Sequence, residues 1–220
     1  MLPTILLVVH VVAGAIALLT AVISVASKAT TVSHRVHVVT GTIFVVCMAI
    51  ISITGLPLAY LKGSLFLLMI GVFSGYLTWS GWRYARNRTG RPVSVDWAVV
   101  AVMIAVGAAL IAYGLWSLLQ GSSFGVVMIV FGGISLFLCS LDLRIFRAGG
   151  ATGKLRISQH LSMMLAGTIT ALTAFSANIL ARYIPSQLEP LAWLWPTALL
   201  VPVIIIWGRR IRAGSRISGL

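Results

Sequence analysis

Long apolar segments alternate with short polar connections along the whole chain. Each segment is close to the ~20 residues that an α-helix needs to cross the hydrocarbon core of a bilayer. No long polar linker or low-complexity tract separates them. The pattern predicts an all-α, polytopic transmembrane bundle that forms a single domain over residues 1–220. Its seven helices are expected at approximately 3–26, 36–60, 64–83, 97–119, 123–143, 156–184 and 191–208.

The sixth predicted helix carries the most polar groups of any span. At helical spacing, one of its faces has a histidine at one end, small residues in the middle and an amide at the other end. Polar groups in lipid usually turn toward partner helices or a water-filled cavity. We therefore expect this helix to lie at the centre of the bundle. The face consists of His160, Met164, Gly167, Ala171, Ala174 and Asn178.

The composition supports a membrane protein and excludes a nucleic-acid-binding domain. Hydrophobic residues make up 60% of the chain, charged residues only 9%, and the mean hydropathy is +1.07. The net charge of +13 lies in short clusters between apolar runs, which is the distribution that sets helix orientation in a bilayer. These basic loops predict contact with the anionic headgroups of membrane lipids.

The basic residues also predict an orientation. All but two of the 16 Lys and Arg residues fall in loops on the same side, and the exceptions are Lys62 and Arg182. By the positive-inside rule, the N-terminus is outside and the C-terminus is cytoplasmic. We expect the protein in a bacterial cytoplasmic (inner) membrane. A Gly71-x-x-x-Gly75 motif is compatible with a homo-oligomer, although such motifs more often serve packing within one chain.

Few side chains could carry chemistry, and the predicted orientation divides them into two levels. His37, His160 and Asp142 fall near the cytoplasmic leaflet, where they could converge if helices 2, 5 and 6 are neighbours. His10 and Asn178 fall in the outer half. A single metal site that includes His10 is therefore disfavoured.

Two kinds of cofactor site follow from the inner group. Imidazoles on different helices can hold the iron of a b-type haem axially in an apolar pocket. His37 and His160 are the candidate ligands, and Met164 is assigned to the same cofactor site. Alternatively, His37, His160 and Asp142 offer three ligands for a catalytic zinc ion. Neither has a fixed-spacing motif, and hydrogen bonds that only join helices, or an ion pair of Asp142 with a nearby arginine, remain open.

Three hypotheses for function remain. The first is a redox protein that binds haem or a metal. The second is a proton-coupled transporter of a small solute, with a polar path along helix 6. The third is a non-catalytic subunit whose polar groups only specify packing, and an enzymatic activity stays undecided. The path of the second hypothesis would use His10, Asn178, Thr170, His160 and Asp142.

Three short blocks of the chain resemble an uncharacterised bacterial family of multi-pass membrane proteins with no assigned function. The first block is VHVVAGAIALL around His10, and the second begins at His37 with Gly41 and Phe44. The third joins Leu141-Asp142-Leu143-Arg144 to His160-Leu161 in helix 6. The resemblance selects His10, His37, Asp142 and His160 over His34. It implies an architecture and not a reaction.

Overall fold

A computed structural model describes residues 1–29, 34–180 and 182–214, and within them it contains helices and no strand. All seven helices are apolar and long enough to cross a membrane, since the shortest has 22 residues and a length of about 33 Å. The prediction of seven helices that are long and apolar enough to cross a membrane is thus confirmed for the described residues. The helices are α1 (Leu2–Ala29), α2 (His34–Leu61), α3 (Leu65–Arg86), α4 (Ser94–Leu119), α5 (Gly125–Arg147), α6 (Gly153–Leu180) and α7 (Glu189–Ala213).

The helix boundaries differ from the predicted ones mainly in α6 and α7. α6 begins at Gly153 and ends at Leu180, because the chain turns there and makes a short 3-10 helix over Ser186–Leu188. His160 consequently lies about two turns inside its helix rather than one. α7 continues to Ala213, so that its basic residues belong to the last helical turns.

Two helices share the centre of the bundle. α3 packs against α2, α4 and α6, while α6 packs against α1, α3 and α7. α5 lies outside them, against α4 and α7, and reaches α3 through its Phe131 and Asp142 side chains. Helix 6 is therefore central, as expected. α3 is equally central, which was not expected. We call the end of the bundle that holds the last turns of α1, α3, α5 and α7 the basic end.

The composition of α3 explains its position. It has the lowest mean hydropathy of the seven spans, 1.4, and the largest buried share, half of its central window. Ser74, Thr78 and Ser80 are all buried, and Thr78 bonds back to the carbonyl of Ser74. Because lipid offers polar groups no partner, the span with the lowest mean hydropathy lies inside the protein.

Buried side chains form two separate cores. The larger core joins α3, α4, α5, α6 and α7, and at the end opposite the basic end it contains a cluster of Phe66, Phe124 and Trp193. The smaller core joins α1 and α2 and reaches α6 through Met164 and Ala171. The two cores are in contact over only part of their length. The candidate site lies in the space between them at the basic end.

Glycines bring α4 and α5 into backbone contact. A Cβ atom at Gly132 would lie 2.8 Å from the carbonyl oxygen of Gly107 and 2.7 Å from the side chain of Ile111. Neither neighbour can move far, since one is backbone and the other is a branched side chain next to it. Gly71 and Gly75 similarly face Leu56 and Ser52 of α2, which fits a packing role within the chain.

We expect Gly132→Ala to lower the thermal stability of the detergent-solubilised protein, by about 1–3 kcal/mol, because the added methyl forces α4 and α5 apart. Gly133→Ala is the matched control, since a Cβ there meets no atom within 4 Å. Thermal unfolding followed by circular dichroism measures both. Equal stabilities of the two variants would contradict the close contact.

Candidate functional site

His160 is fixed by a backbone carbonyl of α3. Its Nδ1 lies 2.9 Å from the oxygen of Gly81. A carbonyl oxygen can only accept, so Nδ1 carries the proton and donates it. A Cβ at Gly81 would meet the flexible end of the Met164 side chain, one turn after His160, so that this methionine would have to move.

His37 is fixed in a similar way by α1. Its Nδ1 lies 3.1 Å from the carbonyl oxygen of Ser24 and 3.0 Å from the hydroxyl of the same residue. The approach to a carbonyl favours a protonated Nδ1 here too. In a neutral imidazole that proton leaves the lone pair on Nε2, so both histidines are held in the same tautomer.

The structure brings these two imidazoles together. The ring centroids of His37 and His160 are 6.4 Å apart, and the ring planes are nearly perpendicular at 87°. His34 stacks on the far side of this pair, 6.5 Å from His37, and is exposed. The expected meeting of His37 with His160 is therefore observed.

A cavity of about 810 Å³ surrounds the two histidines at the basic end. Its deeper wall is apolar and includes Phe44 and Met164, and its mouth includes Trp82 and Trp207. α1, α2, α3, α6 and α7 all contribute to it. The volume lies in the upper part of the ~300–1,000 Å³ range of small-molecule and cofactor sites.

The charge of this cavity is entirely positive. Arg86, Arg88 and Arg156 line it, and none of the described acidic residues does. The Nη1 atom of Arg156 donates to the carbonyls of Tyr84 and Ala85, at 2.6 and 2.9 Å, and so holds its guanidinium at the last turn of α3. The cavity thus combines an apolar body with a cationic mouth.

Asp142 does not join the histidines, which corrects the expected three-ligand group. Its carboxyl is fully buried and accepts hydrogen bonds from the hydroxyls of Tyr76 at 2.8 Å and Tyr84 at 2.6 Å. α5 places Asp142 against one side of α3, whereas His160 reaches Gly81 of α3 from α6. Within the described ranges, no group of three or more His, Cys, Asp or Glu residues could hold a metal.

The alternative ion pair of Asp142 with an arginine is not formed either. In the described part of the chain, the one ion pair joins Arg83 to Asp96, with Nη2 and Oδ2 2.8 Å apart. Asp96 also accepts from the backbone N–H of Val93 and so caps the first turn of α4. This ion pair of Arg83 with Asp96 was not predicted from the sequence, although an acid next to a predicted helix start is a usable signal.

The two tyrosines were also missed. Tyr76, Ser80 and Tyr84 recur every four residues, which places them on one face of α3. That spacing could have identified a polar face toward a buried acid. Nothing in the sequence shows which neighbouring helix supplies that acid, because α5 is apolar on nearly all sides.

The remaining candidates lie elsewhere. Nδ1 of His10 is 3.0 Å from the hydroxyl of Thr54, so the predicted separate level is observed. Thr170 donates to Gly167, and the exposed Asn178 donates to Ala174, both within α6. None of His10, Thr170 and Asn178 lines the 810 Å³ cavity. The polar path expected along helix 6 is therefore not assembled.

Comparison of the chain with known protein families, with curated proteins and with solved structures found no match. The fold and the site thus define a multi-pass membrane protein with a bis-histidine cavity at its basic end, and the geometry is the basis for any functional conclusion.

We expect Asp142→Leu to destabilise the protein, because it leaves the buried hydroxyls of Tyr76 and Tyr84 without their acceptor. Each such loss costs about 1–3 kcal/mol. Asp142→Asn is the matched control, since an amide keeps an acceptor oxygen and adds a donor. Thermal unfolding in detergent measures the stability of both variants. An Asp142→Leu variant as stable as the wild type would contradict the network.

Proposed function

We propose that the cavity binds one b-type haem between His37 and His160, and that the protein carries single electrons within the membrane. The observation that supports this most directly is the 6.4 Å separation of two imidazoles from different helices. One imidazole from α2 and one from α6 would hold the iron, and a haem needs only two ligands from the protein. A haem held there would supply one-electron chemistry between Fe(III) and Fe(II).

The tautomers of both histidines fit this role. A metal-binding histidine commonly donates its second ring N–H to a carbonyl or carboxylate, which fixes the ring and makes the ligating nitrogen more basic. The contacts of His160 with Gly81 and of His37 with Ser24 have this arrangement. Nε2 is then the ligating atom on each ring.

The number of protein ligands favours haem over zinc. A haem supplies four nitrogens itself and needs only two axial ligands from the protein, whereas a catalytic zinc site uses three protein ligands. Asp142, the third ligand of the zinc hypothesis, is bound to Tyr76 and Tyr84 instead. The described residues therefore fit a haem better than a catalytic zinc ion.

The shape and charge of the cavity suit an amphipathic cofactor. Phe44, Leu161 and Met164 offer an apolar surface to the macrocycle, so Met164 would pack and not ligate. At the mouth, Arg86 and Arg88 are exposed and can pair with the two carboxylates of a haem. The group would thus enter with its carboxylates at the basic end.

The same charges support the orientation and location. We propose that the basic end faces the cytoplasm, with the N-terminus outside, in a bacterial inner membrane. The haem site would then lie in the cytoplasmic half of the bilayer, where the basic residues contact anionic headgroups. The resemblance to an uncharacterised membrane family is compatible with this proposal but adds no reaction to it.

A packing role is the second candidate, because the same hydrogen bonds join helices. His160 links α6 to α3, and His37 links α2 to α1. Such bonds contribute about 0.6 kcal/mol on average within membrane helices. This role predicts a stability loss on substitution but no cofactor.

The visible spectrum of the purified protein tests the haem site. After expression with sufficient haem, we expect the absorption bands of a low-spin, bis-histidine haem. His160→Ala and His37→Ala should each abolish them, because one axial ligand is lost. His34→Ala and His10→Ala are the matched controls and should keep the spectrum, since His34 is exposed and His10 lies with Thr54.

Two results would contradict the haem site. One is a colourless wild-type protein without iron by elemental analysis. The other is an unchanged spectrum in His160→Ala. A colourless protein whose His160→Ala variant melts at a lower temperature would support the packing role in its place.

Cysteine labelling tests the orientation. Both native cysteines, Cys47 and Cys139, are buried, so background labelling should be low. We expect Lys62→Cys to react with a membrane-impermeant maleimide in intact cells. Arg88→Cys, exposed at the basic end, should react only after the cells are opened. The reverse pattern would overturn the proposed orientation.

A further inference from the structure

The buried carboxyl of Asp142 has no part in the haem site proposed above. Its relative exposure is 0%, and it lies inside a span, where an ionisable group is costly to keep. Apolar groups in place of the acid and both tyrosine hydroxyls together would serve helix packing as well. A buried acid held by two tyrosines therefore calls for a chemical explanation.

The network around Asp142 can satisfy both protonation states. As a carboxylate, Asp142 accepts one hydrogen bond on each oxygen, from Tyr76 and Tyr84. As a neutral acid, it can donate to one phenol oxygen and still accept from the other, because a tyrosine hydroxyl both donates and accepts. No backbone movement is needed between the two arrangements.

The groups found to face Asp142 in the described part of the chain are neutral or acidic. From α3, Tyr76, Tyr84 and Ser80 surround the carboxyl, and Cys139 lies one turn earlier on α5. From α4, Asp96 lies close enough to act on it, and Asp96 is itself paired with Arg83. Because a buried carboxylate needs a counter-charge, a proton can take the place of that counter-charge.

A short polar route leads from Asp142 to the basic end. A second cavity of about 20 Å³ lies there, and Ser80, Tyr84, Arg83 and Asp96 are among the residues that line it. Roughly 10–15 Å³ is enough for one water molecule. A water there would lie beside Tyr84, which binds Asp142, and beside the ion pair.

Tyr84 connects this route to the histidine cavity. Its hydroxyl binds Asp142, and the residue also lines the 810 Å³ cavity that contains His37 and His160. Tyr84 is therefore shared between the carboxyl and the proposed haem site. In a medium of low dielectric, the charge of the iron and the charge of the carboxyl would influence each other.

We propose that Asp142 is a proton-accepting site that takes up one proton from the basic end when the centre between His37 and His160 gains one electron. This inference rests on the proposed haem function. A haem at this centre would supply the one-electron change, from Fe(III) to Fe(II), with the electron taken from a one-electron reductant. The carboxylate of Asp142 takes one proton from water and forms one O–H bond. Oxidation reverses both changes, so charge and atoms balance.

A redox titration of the haem at several pH values tests the coupling. In the wild type we expect the midpoint potential to fall as the pH rises, by up to a tenfold change in the equilibrium per pH unit, about 59 mV. The sign follows because reduction is favoured where protons are available. In Asp142→Asn, which cannot take up the proton, the dependence should disappear. A pH-independent wild type, or an unchanged dependence in Asp142→Asn, would overturn the proposal.

Glu189→Gln is the matched control, because it makes the same chemical change in an acid in the first turn of α7, at the opposite end of the bundle. It should keep the wild-type dependence, and loss of that dependence would overturn the assignment to Asp142. Tyr84→Phe, which removes one partner of the carboxyl, should alter the dependence. An unaltered dependence in Tyr84→Phe would overturn the route through Tyr84.

Infrared spectroscopy separates the failure of this inference from the failure of the haem site. We expect a carbonyl band of a protonated carboxyl that appears as the pH falls and is missing in Asp142→Asn. A colourless protein would overturn the coupling, while the infrared titration would still decide whether Asp142 accepts a proton. Absence of the band at every pH would overturn the proton-accepting site itself.

Discussion

The hydrogen bond from His160 to the carbonyl of Gly81 is the contact on which the site depends. It ties α6 to α3, sets the tautomer of the histidine and directs its ring toward His37. In hydrocarbon, neither group has water as an alternative partner, so the bond also selects one rotation of α6. Without a glycine at position 81, a side chain would occupy the space that Met164 fills.

The sequence was sufficient for the spans and for the pairing of His37 with His160. Span lengths follow from bilayer thickness, and loop charges place both histidines at the same end. It was insufficient for Asp142, because helices that are apolar on all sides carry little information about which face meets which neighbour. The partners of Asp142 are tyrosines of α3, and only the packing of α5 beside α3 makes that contact.

The same limit explains why the central position of α3 was not predicted. Ionisable groups are the main polar signal in the sequence of a span, and α6 has one at His160. The importance of α3 comes from the backbone carbonyl of Gly81 and from the hydroxyls of Tyr76 and Tyr84. Neither kind of group predicts a site when only the sequence is known. In a membrane bundle, such weakly polar groups are the partners that fix the ionisable ones.

α3 also gives the bundle two chemically different sides. Toward α2 and α6 it borders a wide, cationic cavity with two imidazoles, and toward α5 it binds a buried carboxyl next to a cavity of about 20 Å³. Tyr84 belongs to both sides. This shared residue is the structural reason to propose that the two sides act as one functional unit, since charges interact more strongly in a medium of low dielectric.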